Sequence, residues 1–197
     1  MAVTQSARRE ELLAISAQLF AERGLRATTV RHIADAAGIL SGSLYHHFDS
    51  KESMVDEILR GFLEPLFARY REVAASDLGP RKTLEAYVIA SFDAIATQHS
   101  AVAIYQVEAR HLRAQERFAY IDELNTEFRQ LWHDVLAAGV ADGSFRADLD
   151  IELAYRFLRD TVWVAVSWYR PGGSMTADTI AEHYLAIVLD GVATKET

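Results

Sequence analysis

With 197 residues, half of them hydrophobic, and a formal net charge of -8 at pH 7, the chain has the size of one or two folded units with a sizeable core. It holds no run of about 18 or more apolar residues, and its start, MAVTQSARREE, lacks the apolar stretch of a secretion signal, so a soluble, cytoplasmic protein with no membrane partner is expected. The absence of cysteine excludes disulfides and thiolate metal sites, and the acidic total excludes a protein that coats nucleic acid.

From Thr28 to Lys51 the chain reads TTVRHIADAAGILSGSLYHHFDSK. Ile33 and Ala34, then Ala37 and Ile39, recur at helical spacing behind Thr28 or Thr29, either of which suits an N-cap, so a first helix is predicted to end near Ala37. Gly38 can take the left-handed conformation that stops a helix, and Ser41 then caps a second helix carrying Ser43, Leu44, Tyr45, His46, His47 and Phe48. Leu44 and Phe48, four apart, are the candidate core anchors, which leaves Gly42, Ser43, Tyr45, His46 and His47 on the surface. Two short helices about a tight turn suit the major groove of double-stranded DNA. Ser41, Ser43, Tyr45 and the His pair would donate to phosphates or base edges, and Gly42 would permit close approach. On composition alone, an ordinary helical hairpin with a polar outer face is an equal reading.

The distribution of charge bears on this choice. Residues 1 to 51 hold six Lys or Arg against five acids, and the remainder holds 14 against 23. A near-neutral tip on an acidic body fits a protein that touches DNA through one end and keeps non-specific attraction low.

Beyond Lys51, a stripe of Met54, Ile58, Leu59, Phe62, Leu66 and Tyr70 predicts a helix bent or interrupted at Pro65, ending at the breaker Ser76 to Arg81. Further helices are predicted at about 82 to 98, 100 to 113, 117 to 142, 150 to 170 and 176 to 193, punctuated by Gly143 and by Pro171-Gly172-Gly173. The expected fold is all-α. A helix-turn-helix headpiece over residues 1–51 and a linking helix over 52–75 lead into a ligand-binding and dimerisation body over 76–197.

The helix at 150 to 170 carries one apolar face of Tyr155, Leu158, Val162, Val166 and Tyr169 and another of Phe157, Val164 and Trp168. It needs cover on two sides. With the stripe Ile180, Tyr184, Ile187, Val188 and Gly191, it predicts a homodimer built on two helices per subunit. Such a dimer would hold two headpieces roughly 34 Å apart, one turn of DNA, over a palindromic operator. Arg159 borders the doubly apolar helix with Trp163 one turn on. The pair is read equally as an ion pair with Glu108, Asp160 or another acid beside a packing indole, or as a pocket for an acidic or carbonyl-bearing effector.

The Thr28–Lys51 segment resembles the DNA-binding region of the TetR family of bacterial regulators, with its Thr-Val-Arg, Ile-Ala, Ala-Gly, Leu-Tyr-x-His-Phe and Lys. The resemblance takes in Leu12, Ala17, Leu19, Phe20 and Glu22-Arg23-Gly24, and so spans residues 8 to about 60. It implies phosphate contacts from Thr29, Arg31, Tyr45, His47 and Lys51, with base reading by Ser41, Gly42, Ser43 and His46. Leu40, and Gly-Ser where Gly-Thr is commoner before Leu44, are departures that bear on which operator is read. The runs YRFLRDTVWVAVSWYRPGG, AERGLRATTV, GILSGSLYHHF and MVDEILRGFL are similar, over almost the whole chain, to the branch of that family that represses genes for degradation of the lower steroid rings in actinobacteria.

That similarity implies release from DNA by a CoA thioester of a steroid-derived acid, with Arg159 and Trp163 in or beside the effector site and no cofactor. An apolar two-ring acyl group needs an apolar cavity, for which Tyr105, Phe128, Trp132 and Trp163 are candidate linings, and Arg110, Arg113 or Arg170 would meet CoA phosphates. A fatty acyl-CoA or a drug is the alternative effector, since fold does not fix ligand. A hydrolase of such thioesters is the rival class, resting on His46-His47, His111 or the acids Asp148, Asp150 and Glu152. The spacings assemble neither a catalytic set nor a metal site: adjacent histidines point about 100° apart on a helix, and the acids read as a solvated helix start.

Overall fold

Leu12, Leu19 and Phe20 recur at helical spacing and are buried in the computed structural model, which describes residues 2 to 191; they form the inner face of α1 (Ala2–Arg23). Thr28, also buried, ends that helix's turn by donating its hydroxyl hydrogen bonds to the carbonyls of Leu19 and Gly24. The N-cap of α2 (Val30–Ala36) is therefore Thr29, in a reciprocal box: its Oγ1 accepts from the His32 backbone N–H at 3.2 Å, and its own N–H donates to His32 Nδ1 at 3.3 Å. Gly38, at φ +66°, provides the left-handed stop expected of it.

The second helix of the motif is shorter than its sequence suggests. α3 spans Ser41–Leu44, with Leu40 rather than Ser41 at the N-cap and no side-chain cap. Tyr45 to His47 follow as a turn still held by bonds from the His47 and Phe48 N–H groups to the Leu44 carbonyl, both 3.0 Å. Leu44 and Phe48 are buried as anchors, so the local pattern placed the faces correctly even where it overextended the helix.

α4 (Lys51–Ala74) carries its whole predicted stripe from Met54 to Tyr70 buried, and it runs through Pro65 without interruption. Pro65 has no N–H to give the Gly61 carbonyl, a loss that the packed stripe outweighs. After the breaker come α5 (Pro80–Thr97), α6 (His99–Leu112), a 3-10 turn at Glu116–Phe118 and α7 (Tyr120–Asp142). α8 (Ile151–Trp163) gives way to a 3-10 turn at Val164–Ser167, short of the expected Arg170. Val162, Val164 and Val166 are β-branched, which lowers helix propensity there. α9 (Ala177–Leu185) passes into a π turn at Ala186–Asp190. The described residues contain no strand.

Two compact units result, and they do not follow chain order: the described residues up to 64 with 100–121 form one, and 65–99 with those from 122 onward the other. The first unit gathers α1 to α3, the start of α4, most of α6 and the entry to α7. In the second, α5 packs against α8 and α9. Its centre is aromatic: Tyr70 lies edge-on to Tyr87 and Phe128 at 5.1 and 5.7 Å between ring centroids. The Tyr70 hydroxyl donates to Ser91 Oγ at 2.6 Å, which donates on to the Tyr87 carbonyl at 2.7 Å. Burial pushes the Tyr87 phenol up to about 12, with Asp134 adding to the shift, so that hydroxyl stays neutral.

Candidate nucleic-acid interface and effector site

The first unit presents α3 and its flanks outward. Thr29, Arg31, Gly42, Tyr45 and His46 are exposed, Ser41, Ser43 and His47 half-buried. The Arg31 side chain is 83% exposed and only loosely paired with Asp35 at 3.7 Å, so it can swing to a phosphate at little cost. His47 is tilted against Phe48, 6.4 Å between centroids, which fixes its ring beside the motif. Two headpiece arginines are committed inward. Arg8 donates to the Ala37 carbonyl at 2.9 Å, where α2 ends, and Arg9 forms a bidentate pair with Glu57 while stacking over Phe48 at 4.6 Å. Sequence counting treats such cations as available to DNA; long-range packing assigns them to the scaffold.

Lys51 behaves similarly. Its ammonium donates to the Leu25 carbonyl at 2.7 Å and to the Thr28 carbonyl at 3.3 Å. On the other side of the same residue, Glu108 Oε1 of α6 accepts from the Leu25 N–H at 3.4 Å. Glu108 is thus placed in the first unit, and the acid beside Arg159 is Asp160, bonded from Nε at 2.6 Å.

In the second unit Trp132 is fully buried, 5.3 Å from Phe128 between centroids, and Phe128 in turn meets Tyr155 and Trp163 at 6.2 and 6.5 Å. The guanidinium carbon of Arg159 lies 5.4 Å over the Tyr155 ring, so the aromatic run ends in a cation. The Arg159 side chain remains 42% exposed, and its bond to Asp160 raises its pKa against a smaller opposing effect of burial. The indole Nε1–H of Trp132 is buried without a hydrogen-bond partner. A donor desolvated in this way costs free energy until an acceptor reaches it. Of the predicted lining residues, Phe128, Trp132 and Trp163 come together. Tyr105 belongs to the first unit, where its ring meets Phe62 edge-on at 6.0 Å.

The same unit leaves an apolar face open. On α8 and the turn after it, Tyr155, Leu158, Val162, Val166 and Tyr169 are buried as the first predicted face, while Phe157, Val164 and Trp168 of the second are 63, 54 and 47% exposed. Ile187 and Val188 of the π turn join them, beside a groove of about 550 Å³ with Leu84, Leu136 and Leu158 in its wall.

Comparison with known proteins decides the family. Residues 12–58 match the model described as bacterial regulatory proteins, tetR family, and residues 77–192 the model described as tetracyclin repressor-like, C-terminal domain. This chain belongs to the TetR family. It is 73% identical to the HTH-type transcriptional repressor KstR2 of Rhodococcus jostii, over 96% of this chain and 93% of that protein. The solved structure of the ketosteroid transcriptional regulator KstR2 of Mycobacterium tuberculosis superposes with a TM-score of 0.91 at 58% identity, covering 95% of this chain and 96% of that one. The regulator AibR shares the fold with a TM-score of 0.78 at 21% identity, covering 92% of this chain and 98% of that one.

TetR-family membership makes the chain a DNA-binding transcriptional repressor, not an enzyme. Two of the residues that an enzyme reading would use have structural places: Asp150 caps α8 by accepting from the Leu153 N–H at 2.9 Å, and Glu152 is paired with Arg129 at 2.7 Å and Arg156 at 2.8 Å. No helix among the described residues is long and apolar enough to cross a membrane. Sequence reasoning missed the inward role of Lys51 and the orphaned Trp132 donor, because both depend on partners far along the chain.

Proposed function

We propose that this TetR-family repressor works in the cytoplasm as a homodimer on a palindromic operator and is released from it by a steroid-derived acyl-CoA thioester. The observation that carries the effector reading is the unpartnered, buried Nε1–H of Trp132 inside an aromatic cluster that ends at the Arg159 guanidinium. Apolar rings, one desolvated donor and one cation suit a polycyclic acyl group bearing carbonyl or carboxylate oxygens. The names of the relatives support the ketosteroid origin, and the AibR structure was solved with isovaleryl coenzyme A and operator DNA, a precedent within the fold. The exposed Phe157, Val164, Trp168, Ile187 and Val188 support the dimer, since a patch of that kind asks for a self-complementary partner.

Release follows if the thioester binds better to a body geometry in which the two headpieces are mis-spaced, because a ligand shifts an equilibrium only by its differential affinity. The test is a gel shift on the protein's own upstream DNA with steroid-derived acyl-CoA, fatty acyl-CoA and the free acids. Steroid thioester should free the operator from wild type, and Arg159→Ala should bind the operator normally yet resist release. Release by fatty acyl-CoA alone would replace the steroid effector. Unchanged release of Arg159→Ala would remove that residue from the site.

A further inference from the structure

Leu40 is 81% exposed, more than any other large hydrophobic side chain among the described residues. It holds the N-cap of α3 in extended backbone, φ -73° and ψ 142°, with no side-chain cap. That position favours Ser, Thr, Asp or Asn, whose oxygens satisfy the first free N–H groups. Leucine forgoes this bond and also leaves an isobutyl group in water.

The surroundings make the side chain project. Ser41, Gly42 and Ser43 follow it, and a Cβ built on Gly42 meets nothing within 4 Å. Beyond α3 stands Tyr45, 58% exposed, so two bulky groups bracket a strip of small ones. Arg31, His46 and the hydroxyls of this surface can recognise phosphate or polar base edges. Leu40 can do neither. The one apolar group that the major-groove edge of a base pair offers is the C5 methyl of thymine.

We infer that Leu40 is a specificity-determining residue that packs against a thymine C5 methyl in each half-site. The inference rests on the operator reading above and adds to it a base and an atom.

The experiment uses the full-length protein and a duplex that it selects from a random library. Each thymine of one half-site is then replaced singly by deoxyuridine, which removes only the methyl. Wild type should show one position where the replacement raises Kd about fourfold, the effect of losing one buried methyl. Leu40→Ala should bind the parent duplex about as weakly as wild type binds that demethylated one, and should ignore the replacement; Leu40→Met should stay sensitive. A Leu40→Ala protein that answers every deoxyuridine as wild type does would overturn the role of Leu40 while leaving the operator reading intact. Failure to select any duplex would overturn both.

Discussion

Lys51 and Leu25 are joined across 26 positions of the chain: the ammonium at the start of α4 donates to the carbonyl at the α1–α2 turn, 2.7 Å away, while Glu108 holds the N–H of the same leucine. The turn that delivers the helix-turn-helix motif is therefore gripped at both ends of one residue, by α4 and by α6. Lys51→Met keeps much of the stem's packing and removes the donor, leaving two carbonyls short of a partner. A loss of about 1–2 kcal/mol is expected, discounted for partial exposure, and is read as a fall in Tm of the free protein. An unchanged Tm with a large loss of operator affinity would show instead that the ammonium serves the phosphate backbone.

Phe157, 63% exposed on α8, should behave in the opposite way. Phe157→Glu costs the folded subunit little because the side chain is outside the core, but it places a charge where the proposed dimer would need apolar contact. Light scattering should report a dimer for wild type and a monomer for the variant at the same concentration, and operator binding should fall with it. A dimer that survives this change would move the interface off α8.

Gly139, near the end of α7, lies directly under the Phe145 ring, and Phe145 donates its N–H to the Gly139 carbonyl at 2.8 Å. A methyl group there would collide with the ring. Gly139→Ala should destabilise the protein by about 1–3 kcal/mol despite alanine's better helix propensity, measured by denaturant unfolding. A more stable variant would mean that Phe145 swings aside freely.

Glu152 supplies a pH dependence. Hydrogen bonds from Arg129 and Arg156 hold its carboxyl down to about 2, from an ordinary value of 4.5. A depressed folded-state pKa adds stability above the unfolded value and loses it as pH falls through the folded one. The gap in Tm between wild type and Glu152→Gln should thus be full at neutral pH and close between about pH 4.5 and 2. A gap that persists at the acid end would assign the difference to packing of the amide.

Helix faces were legible in the residues themselves because side-chain period is local. The split of α8 into a buried face through Leu158 and Val162 and an open one through Phe157 needs only about 100° per residue. The ends of helices were less legible: α3 stops at Leu44 and α8 at Trp163, where capping and β-branched crowding compete with a continuing pattern. The exposed side chains of the motif could be named from order and spacing, but not their commitments. Arg8, Arg9 and Lys51 count alike with Arg31 in a charge sum, yet packing turns the first three onto carbonyls or Glu57 and leaves Arg31 outside.

The sequence by itself determined an all-helical chain, the helix-turn-helix with Leu44 and Phe48 as its anchors, and the apolar excess on α8, since each follows from contacts within a turn or two of helix. Only the tertiary structure decided that Glu108 lies in the other unit from Arg159, that Trp132 keeps a buried donor without a partner, that Tyr105 lies in that other unit too, and that Leu40 stands in solvent. Each depends on which distant segments exclude water from a given side chain. Long-range packing sets that, and local periodicity carries no record of it.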